Sequence, residues 1–188
     1  MKIYTVIAGV NGVGKSSLTG ALKSKSGDFG HIIDVDRMAA RLGGNIAAGK
    51  KALEEIAVCL DRGVNFSQET TLSGHMPEKI IRLAKKKGYF IRLYYVGLNS
   101  AGECLSRIEN RVSKGGHSIP AEDVERRFAK RFESLIKILP YCDEAVFFDN
   151  ENGFAEVAGF RNGELLTVGA YRPAWIGALI AEINTEEN

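Results

Sequence analysis

Two kinds of segment alternate along the chain: short runs of β-branched and aromatic residues, and longer stretches with helical spacing of apolar positions. The short runs predict buried strands, because strands of a parallel sheet are covered on both faces and have few polar positions. Five strands are predicted before residue 150, at Ile3–Ala8, His31–Asp36, Val64–Thr71, Tyr89–Val96 and Ala145–Asp149.

The stretches between these strands predict helices, and several end at a glycine or in a basic last turn. They are Lys15–Ser24, Ile46–Arg62, Pro77–Lys87, Ala101–Ser113, Ala121–Leu139 and Pro173–Ile183. A hairpin of Phe154–Phe160 and Glu164–Val168 is predicted around Asn162-Gly163, a strong turn signal. Strands that alternate with helices predict an α/β fold with a parallel sheet.

Length and composition predict one globular domain spanning residues 1–188, with residues 154–186 as a C-terminal extension. The formal net charge of +2 is too small to indicate nucleic acid or an acidic membrane as a partner. No apolar run is long enough to span a membrane. The three separated cysteines predict reduced thiols and a cytoplasmic protein rather than a disulfide framework.

The segment Gly9–Ser16 matches the phosphate-binding pattern G-x-x-x-x-G-K-[ST] at every position, between a predicted strand and a predicted helix. Glycines let consecutive backbone N–H groups face one anion, and the helix N-terminus adds a positive dipole. Lys15 is expected to reach the β- and γ-phosphates, and the Ser16 hydroxyl to coordinate Mg²⁺. The residues predicted to bind ATP or a similar nucleotide are Gly9, Asn11, Gly12, Val13, Gly14, Lys15, Ser16 and Ser17.

Acidic and hydroxyl side chains follow two of the predicted strands, where open α/β sheets bind their ligands. Asp34 and Asp36 are two positions apart, which predicts that both lie on one face at the end of the second strand. Either could accept a substrate proton or help hold Mg²⁺. As alternatives, Asp36 could cap the following helix, and Asp34 could be an ion-pair or outer Mg²⁺ partner. Glu69 and Thr71 suit a substrate that carries hydroxyl groups.

A glycine-containing loop between two arginine-bearing helices predicts a lid that closes over phosphates. Arg111 lies on the first helix, and His117 in the loop is expected to be a lid contact rather than a base. The second helix carries Arg126, Arg127, Lys130 and Arg131. Ordinary ion pairs, at Glu103–Arg107, Glu122–Arg126 and Asp123–Arg127, would explain some of these charges. The lid is therefore expected to use Arg111 with either Arg127 or Arg131.

Six strings occur in order: GVNGVGKSSL, IDVD, FSQETTLSG, RIENRV, GGHSIPAEDVERRF and FFDN. With them the chain resembles the zeta-toxin-like P-loop kinases over roughly residues 3–150. It is most similar to their compact bacterial branch, often described as "predicted ABC-type ATPase". The resemblance implies a three-layer fold with a central parallel five-stranded sheet, in the order 2-3-1-4-5, followed here by the C-terminal β-hairpin.

The resemblance also implies roles for single residues. Asp36 matches the family's general base, Glu69 and Thr71 match its substrate-binding acid and hydroxyl, and Arg111 matches a lid arginine. A second family arginine falls near His117, where this chain has none. Either Arg126, Arg127 or Arg131 supplies the missing charge, or the substrate differs.

These observations predict a Mg-ATP-dependent kinase that phosphorylates a hydroxyl of a small nucleotide-linked substrate, for which the resemblance suggests a UDP-N-acetylaminosugar. An RNA-end kinase is an alternative enzyme, although the low net charge argues against a nucleic acid partner. A nucleotide-gated binding module with little turnover is the non-enzymatic alternative. The resemblance makes a small antitoxin protein a candidate partner.

Overall fold

A computed structural model describes residues 1–24 and 28–186. The side chains of five of these residues lie outside the description: Asp36, Ala40, Leu42, Asn45 and Glu186. Seven strands are found in the described ranges: β1 (Ile3–Ala8), β2 (His31–Ile33), β3 (Phe66–Thr70), β4 (Phe90–Gly97), β5 (Glu144–Asp149), β6 (Ala155–Arg161) and β7 (Glu164–Thr167).

Eight α-helices accompany these strands in the same ranges, and a short 3₁₀ turn at Leu139–Tyr141 precedes β5. The helices are α1 (Lys15–Ser24), α2 (Val35–Leu42), α3 (Asn45–Arg62), α4 (Met76–Lys86), α5 (Ala101–Val112), α6 (Ala121–Ala129), α7 (Arg131–Ile138) and α8 (Ala174–Glu186). The glycine end predicted for the second long helix is confirmed, because Gly63 caps α3 in the left-handed region at φ 66°. No helix in the described ranges is long and apolar enough to cross a membrane.

All strands form one sheet in the order β2-β3-β1-β4-β5-β6-β7. The first five strands pair in parallel in the predicted order 2-3-1-4-5, so the α/β fold is confirmed. The sheet nevertheless has seven strands rather than five, because the C-terminal hairpin pairs antiparallel with β5. Its turn has Asn162 at φ 56° and Gly163 at φ 85°, as a two-residue turn with two left-handed positions requires.

The second strand is shorter than predicted. It ends at Ile33, and the Asp34 carboxylate accepts a 3.0 Å hydrogen bond from the Arg37 backbone N–H as the N-cap of α2. The prediction that Asp34 and Asp36 share one face of a strand is therefore wrong. The capping role proposed for Asp36 belongs to Asp34, because this earlier acid ends the strand and starts the helix two residues sooner than predicted.

The helix predicted over Ala121–Leu139 is divided at Lys130, whose ψ of 10° departs from helical geometry. In an unbroken helix the Phe128 carbonyl would accept from the backbone N–H four residues later. Here Arg131 Nη1 donates to that carbonyl at 2.7 Å. The side chain thus gives the Phe128 carbonyl a side-chain partner at the helix break.

Two apolar clusters cover the sheet. The larger includes the buried Trp175 and Leu179 of α8, and the smaller lies under the phosphate loop and includes Leu18, Cys104 and Ile108. On α5, Cys104 and Ile108 are buried, whereas Val112 in the last turn is 38% exposed. The smaller cluster fixes α5 directly against the phosphate loop.

Candidate functional site

The loop between β1 and α1 has the curled backbone that the sequence pattern predicts. Gly12 has φ 87° and Gly14 has φ 99°, a region that side chains disfavour. A Cβ atom on Gly12 would lie 2.4 Å from the Cys104 carbonyl oxygen, and one on Gly14 would lie 2.5 Å from Asn150 Nδ2. Both positions therefore require glycine for conformation and for space, since backbone and buried neighbours surround the loop.

Lys15 lies inside the curl of this loop. Its Nζ donates to the Gly9 carbonyl at 2.9 Å and to the Val10 carbonyl at 3.2 Å. Asn150 closes the other side, because its Nδ2 donates to the Val13 carbonyl at 2.8 Å. The cavity over the loop has a volume of about 310 Å³ and is also lined by Arg107 and Arg111. We call it the phosphate cavity.

Glu69 lies at the end of β3 and faces the phosphate loop. Its two carboxylate oxygens accept from Ser16 Oγ at 2.7 Å and from Thr19 Oγ1 at 2.8 Å. The parallel pairing of β3 with β1 produces this contact, because it sets Glu69 beside Ile7 just before the loop. The sequence predicts Glu69 only as a substrate-binding acid, because a contact with a residue 53 positions away leaves no local pattern.

Serine hydroxyl and carboxylate oxygens are the hard ligands that Mg²⁺ prefers. Ser16 and Glu69 fit an Mg²⁺ ion that keeps several waters and is also bound by nucleotide phosphates. Among the described residues there is no cluster of three or more His, Cys, Asp or Glu side chains that could hold a metal. A donor set of one hydroxyl and one carboxylate suits an ion whose other ligands are waters and nucleotide phosphates.

A second cavity of about 330 Å³, the central cavity, adjoins the phosphate cavity. The two share Asn11, Lys15, Glu69 and Arg111 in their linings. The central cavity brings together most of the predicted acceptor-side residues, namely Asp34, Glu69, Thr71, His117 and Arg127. Asp36 follows Asp34 in the first turn of α2, but its side chain is outside the described residues, so its role as base stays a prediction.

The loop after α5 is folded back onto the helix. Arg111 Nη2 donates to the His117 carbonyl at 2.8 Å, which joins the predicted lid arginine to the loop backbone. A Cβ atom on Gly116 would lie 2.5 Å from Arg111 Cγ and 2.8 Å from the Arg111 carbonyl oxygen. Gly116 therefore permits the close approach that sets the direction of the Arg111 side chain.

The other lid cations have different partners. Arg107 donates to the Asn150 and Glu151 carbonyls, while Glu103 forms a capping box with Ser100 instead of the predicted pair with Arg107. Arg126 pairs with Asp123 rather than with the predicted Glu122. The pair of Arg127 with Asp123 that we predicted is present at 3.8 Å.

Arg127 and Arg131, the two candidates for a second lid arginine, occupy different places. Arg127 Nη1 donates to Asn11 Oδ1 of the phosphate loop at 2.6 Å. Arg131 contacts the rings of Phe128 and Phe132, with its Cζ 3.9 Å and 4.1 Å from their centroids. Burial lowers the pKa of the Arg131 guanidinium. Arg127 is thus the one that reaches the phosphate loop.

A buried carboxylate that the sequence analysis did not identify lies behind the site. Asp149, at the end of β5, is 1% exposed and accepts from Trp175 Nε1 at 2.8 Å and from the Glu151 backbone N–H at 3.0 Å. The Tyr171 hydroxyl contacts it at 3.3 Å, and burial together with Asp149 raises the pKa of Tyr171 to about 12. The C-terminal segment therefore fixes the loop that carries Asn150.

No protein-family model matches the chain. An uncharacterized protein of Haemophilus influenzae is 34% identical over 127 residues, which are 64% of this chain and 88% of that protein. A solved structure of the PezAT toxin-antitoxin system of Streptococcus pneumoniae matches with a TM-score of 0.67 at 16% identity, over 98% of this chain and 85% of the other.

Two further solved structures share the fold at 16% identity. AvrRxo1-ORF1:-ORF2 with ATP has a TM-score of 0.69 over 97% of this chain and 63% of the other. The Pnkp1/Rnl/Hen1 RNA repair complex has a TM-score of 0.60 over 72% of this chain and 46% of the other. The chain spans less than two thirds of either of these two chains. The described fold is shared by all three structures.

Proposed function

For a chain that belongs to the same family as the Haemophilus influenzae protein and has the zeta-toxin-like P-loop kinase fold, we propose the activity of an ATP-dependent phosphotransferase. It transfers the γ-phosphoryl group of Mg-ATP to a hydroxyl of a small nucleotide-linked acceptor, such as a UDP-N-acetylaminosugar. The observation that carries this proposal is that the phosphate and central cavities adjoin and share Lys15, Glu69 and Arg111. Two ligands in these cavities would meet beside the cation of the phosphate loop.

On the donor side, the backbone N–H groups of the loop cradle the nucleotide phosphates, and the Lys15 ammonium exchanges its carbonyl partners for the β- and γ-phosphate oxygens. Ser16 and Glu69 would hold Mg²⁺, which supplies neutralising charge at those oxygens when it is bound. Asn150 and Arg107 support the loop from the side of β5. These contacts fix the shape of the loop from within the protein, which favours little reorganisation during the reaction.

On the acceptor side, Asp36 is the proposed base that takes the proton of the attacking hydroxyl, a role that rests on the family resemblance. Asp34 is a positioning residue, since one of its oxygens caps α2 while its side chain lines the central cavity. Thr71, after β3, and His117, in the lid loop, are the proposed acceptor contacts that line this cavity. Together they orient the hydroxyl toward the phosphate loop.

Arg111 and Arg127 are the proposed lid arginines that stabilise charge on the transferring phosphoryl group. Both line the central cavity beside Lys15. Arg127 replaces the family arginine that is missing near His117, because its contact with Asn11 anchors it at the phosphate loop. Arg131, whose guanidinium contacts the rings of Phe128 and Phe132, does not line the central cavity.

We further propose that the protein acts in the cytoplasm and has a small antitoxin-like protein partner. The likeness in fold to the PezAT toxin-antitoxin system supports the second statement. Phosphorylation of a small acceptor and control by a protein partner are compatible, since the partner could cover the central cavity.

Incubation of the protein with Mg-ATP and separate nucleotide sugars, nucleosides and RNA ends, followed by mass spectrometry, tests the proposal. We expect one new phosphoester, lost in Asp36→Asn and retained in Glu164→Gln, a matched change at an exposed position of β7. Full product from Asp36→Asn with an intact fold would contradict the proposed base. A product found only with RNA ends would contradict the proposed acceptor class.

A further inference from the structure

A buried amide side chain lines the central cavity and has no role in the chemistry proposed above. Gln68 of β3 is 8% exposed, and it lines the central cavity but not the phosphate cavity. Because side chains alternate along a strand, Gln68 and the adjacent Glu69 lie on opposite faces of β3. Glu69 faces the phosphate loop, so Gln68 is placed to contact the acceptor rather than the nucleotide.

A tyrosine on the neighbouring strand fixes the orientation of this amide. The parallel register sets Tyr4 beside Phe66, and their two rings stack with centroids 4.3 Å apart. The Tyr4 hydroxyl donates to Gln68 Oε1 at 2.7 Å. Tyr4 is 1% exposed, and burial raises the pKa of its phenol, so the hydroxyl stays protonated and needs an acceptor. Since only the oxygen of an amide can accept this hydrogen, the positions of Oε1 and Nε2 are determined.

The nitrogen of the same amide has no partner but is accessible. Within the described part of the chain, Gln68 makes the bond with Tyr4 and no other side-chain hydrogen bond. The solvent-inaccessible side-chain atoms that lack a partner in this part are Ser67 Oγ, Arg127 Nε and Arg131 Nε, and Gln68 Nε2 is not among them. Gln68 Nε2 is therefore a fixed donor that a ligand in the central cavity can reach.

The chemistry of this donor selects the group that can bind to it. An amide N–H group donates to a lone pair, so a carbonyl or hydroxyl oxygen suits it and an ammonium group does not. The nearby carboxylates of Asp34 and Glu69 already accept from the start of α2 and from hydroxyl groups of the phosphate-loop side. A site that holds a buried donor for one substrate oxygen rejects an analogue that leaves the donor unpaired.

We infer that Gln68 determines the specificity of the acceptor site, because its Nε2 donates to an uncharged oxygen of the acceptor. This oxygen belongs to a carbonyl or a second hydroxyl near the hydroxyl that is phosphorylated, and an ammonium group is disfavoured at the same place. Tyr4 is a positioning residue that acts through Gln68. The inference rests on the proposed function and adds to it a residue and a chemical requirement for the acceptor.

Calorimetric binding of two nucleotide sugars tests this inference on protein saturated with Mg²⁺ and a non-hydrolysable ATP analogue. UDP-N-acetylglucosamine offers a carbonyl oxygen, whereas UDP-glucosamine at mildly acidic pH carries an ammonium group instead. We expect the wild-type protein to bind the acetylated sugar at least about tenfold more tightly. We expect Gln68→Glu to reverse this order, because a carboxylate oxygen takes the place of Nε2 and attracts the ammonium group. UDP-glucose separates the two oxygen sources, since equal binding indicates a hydroxyl and weaker binding a carbonyl.

The variants are chosen to separate specificity from structure. Gln68→Glu keeps an oxygen acceptor for the Tyr4 hydroxyl, so a purely structural role of Gln68 predicts an unchanged preference. Asn162→Asp is the matched control, because it makes the same change of amide to acid in the exposed hairpin turn, where Asp-Gly is also favoured. Tyr4→Phe keeps the stacked ring but frees the amide to turn, so the affinity ratio should fall at least about threefold. This variant decides the question if Gln68→Glu does not fold.

Absence of binding of both sugars at millimolar concentration would overturn the inference, and so would a wild-type preference in Gln68→Glu or in Tyr4→Phe. The binding experiment contains no transfer step. A preference that depends on Gln68, together with no phosphoester from any acceptor, would contradict the proposed function and leave the role of Gln68 standing. Phosphoester formation from both sugars at equal rates in wild type and Gln68→Glu would do the reverse.

Discussion

Glu69 shows how one carboxylate connects two distant parts of the chain. It accepts from Ser16 and Thr19 across the boundary between β3 and α1. The loop glycines and Lys15 were predictable from the sequence, because their pattern is local and contiguous. The role of Glu69 was not, because an acid after a strand gives no sign of which neighbouring strand will carry its partner.

Replacing Glu69 with Gln removes the negative charge but keeps the size of the side chain. We expect the Mg²⁺ concentration for half-maximal ATP consumption to rise about tenfold, as is typical when a residue that supports a metal ligand is changed. Titration of Mg²⁺ at fixed ATP measures this shift. Glu164→Gln, at an exposed position of β7, should give the same Mg²⁺ titration curve as the wild-type protein. An unchanged Mg²⁺ requirement in Glu69→Gln would remove Glu69 from the metal side of the site.

Gly116 offers a second test at this scale, because an added methyl group would collide with Arg111. We expect Gly116→Ala to lower kcat about tenfold with little change in the KM for ATP, since the displaced guanidinium acts on the transferring group. The control is Gly102→Ala in α5, where the new Cβ would meet nothing nearer than 3.8 Å. Steady-state kinetics of both variants measure kcat and the KM for ATP. Equal loss in both would indicate a general effect on α5 rather than on Arg111.

Among the elements, α6 and α7 depart most from the sequence prediction. The apolar positions of the two helices keep one helical spacing across Lys130, with Val124, Phe132 and Leu135 all buried. The pattern alone therefore indicates a single helix. At the break, the Arg131 side chain donates to the Phe128 carbonyl, a contact that the apolar pattern does not reveal. Strand β2 was predicted too long because Asp34, inside the predicted strand, caps α2 instead. Polar side chains make local hydrogen bonds at both boundaries.

The helix α6 is tied to the phosphate loop through Arg127 and Asn11. We expect Arg127→Ala and Asn11→Ala to be non-additive in kcat/KM, with a coupling energy of about 1–3 kcal/mol, because each removes the same contact. A double-mutant cycle measures this coupling. The same cycle with Arg126→Ala in place of Arg127→Ala should be additive, since Arg126 pairs with Asp123 instead. Additivity in both cycles would mean that the contact does not support the reaction.

At the scale of the whole molecule, the C-terminal segment extends the sheet and supports the site from behind. The hairpin was predicted from its Asn-Gly turn, and a closing helix was predicted over Pro173–Ile183. Its pairing with β5 and the bond from Trp175 to Asp149 were not predictable, because neither leaves a periodic signal in the sequence. Residues 154–186 as an extension of one domain remain a prediction.

Trp175 tests this support directly. Its ring lies against Gly97, where an added Cβ would be 2.4 Å from Cε2, and its Nε1 donates to the buried Asp149. We expect Trp175→Phe to lower the free energy of unfolding by about 2–3 kcal/mol, because a buried carboxylate loses a donor and the core loses volume. Urea denaturation measures the change. Tyr171→Phe should cost less, since the 45% exposed Tyr171 leaves room for water to replace its hydroxyl.

The central claim is that the protein uses the two adjoining cavities to transfer the γ-phosphoryl group of ATP to an acceptor molecule rather than to water. The most direct measurement incubates the protein with γ-labelled ATP and the small-molecule fraction of a bacterial extract, and follows where the label goes. We predict that the label enters a phosphoester of low molecular mass, and that Lys15→Ala abolishes this transfer. Label released only as inorganic phosphate, or retained in ATP, would contradict the account and favour a nucleotide-gated binding module.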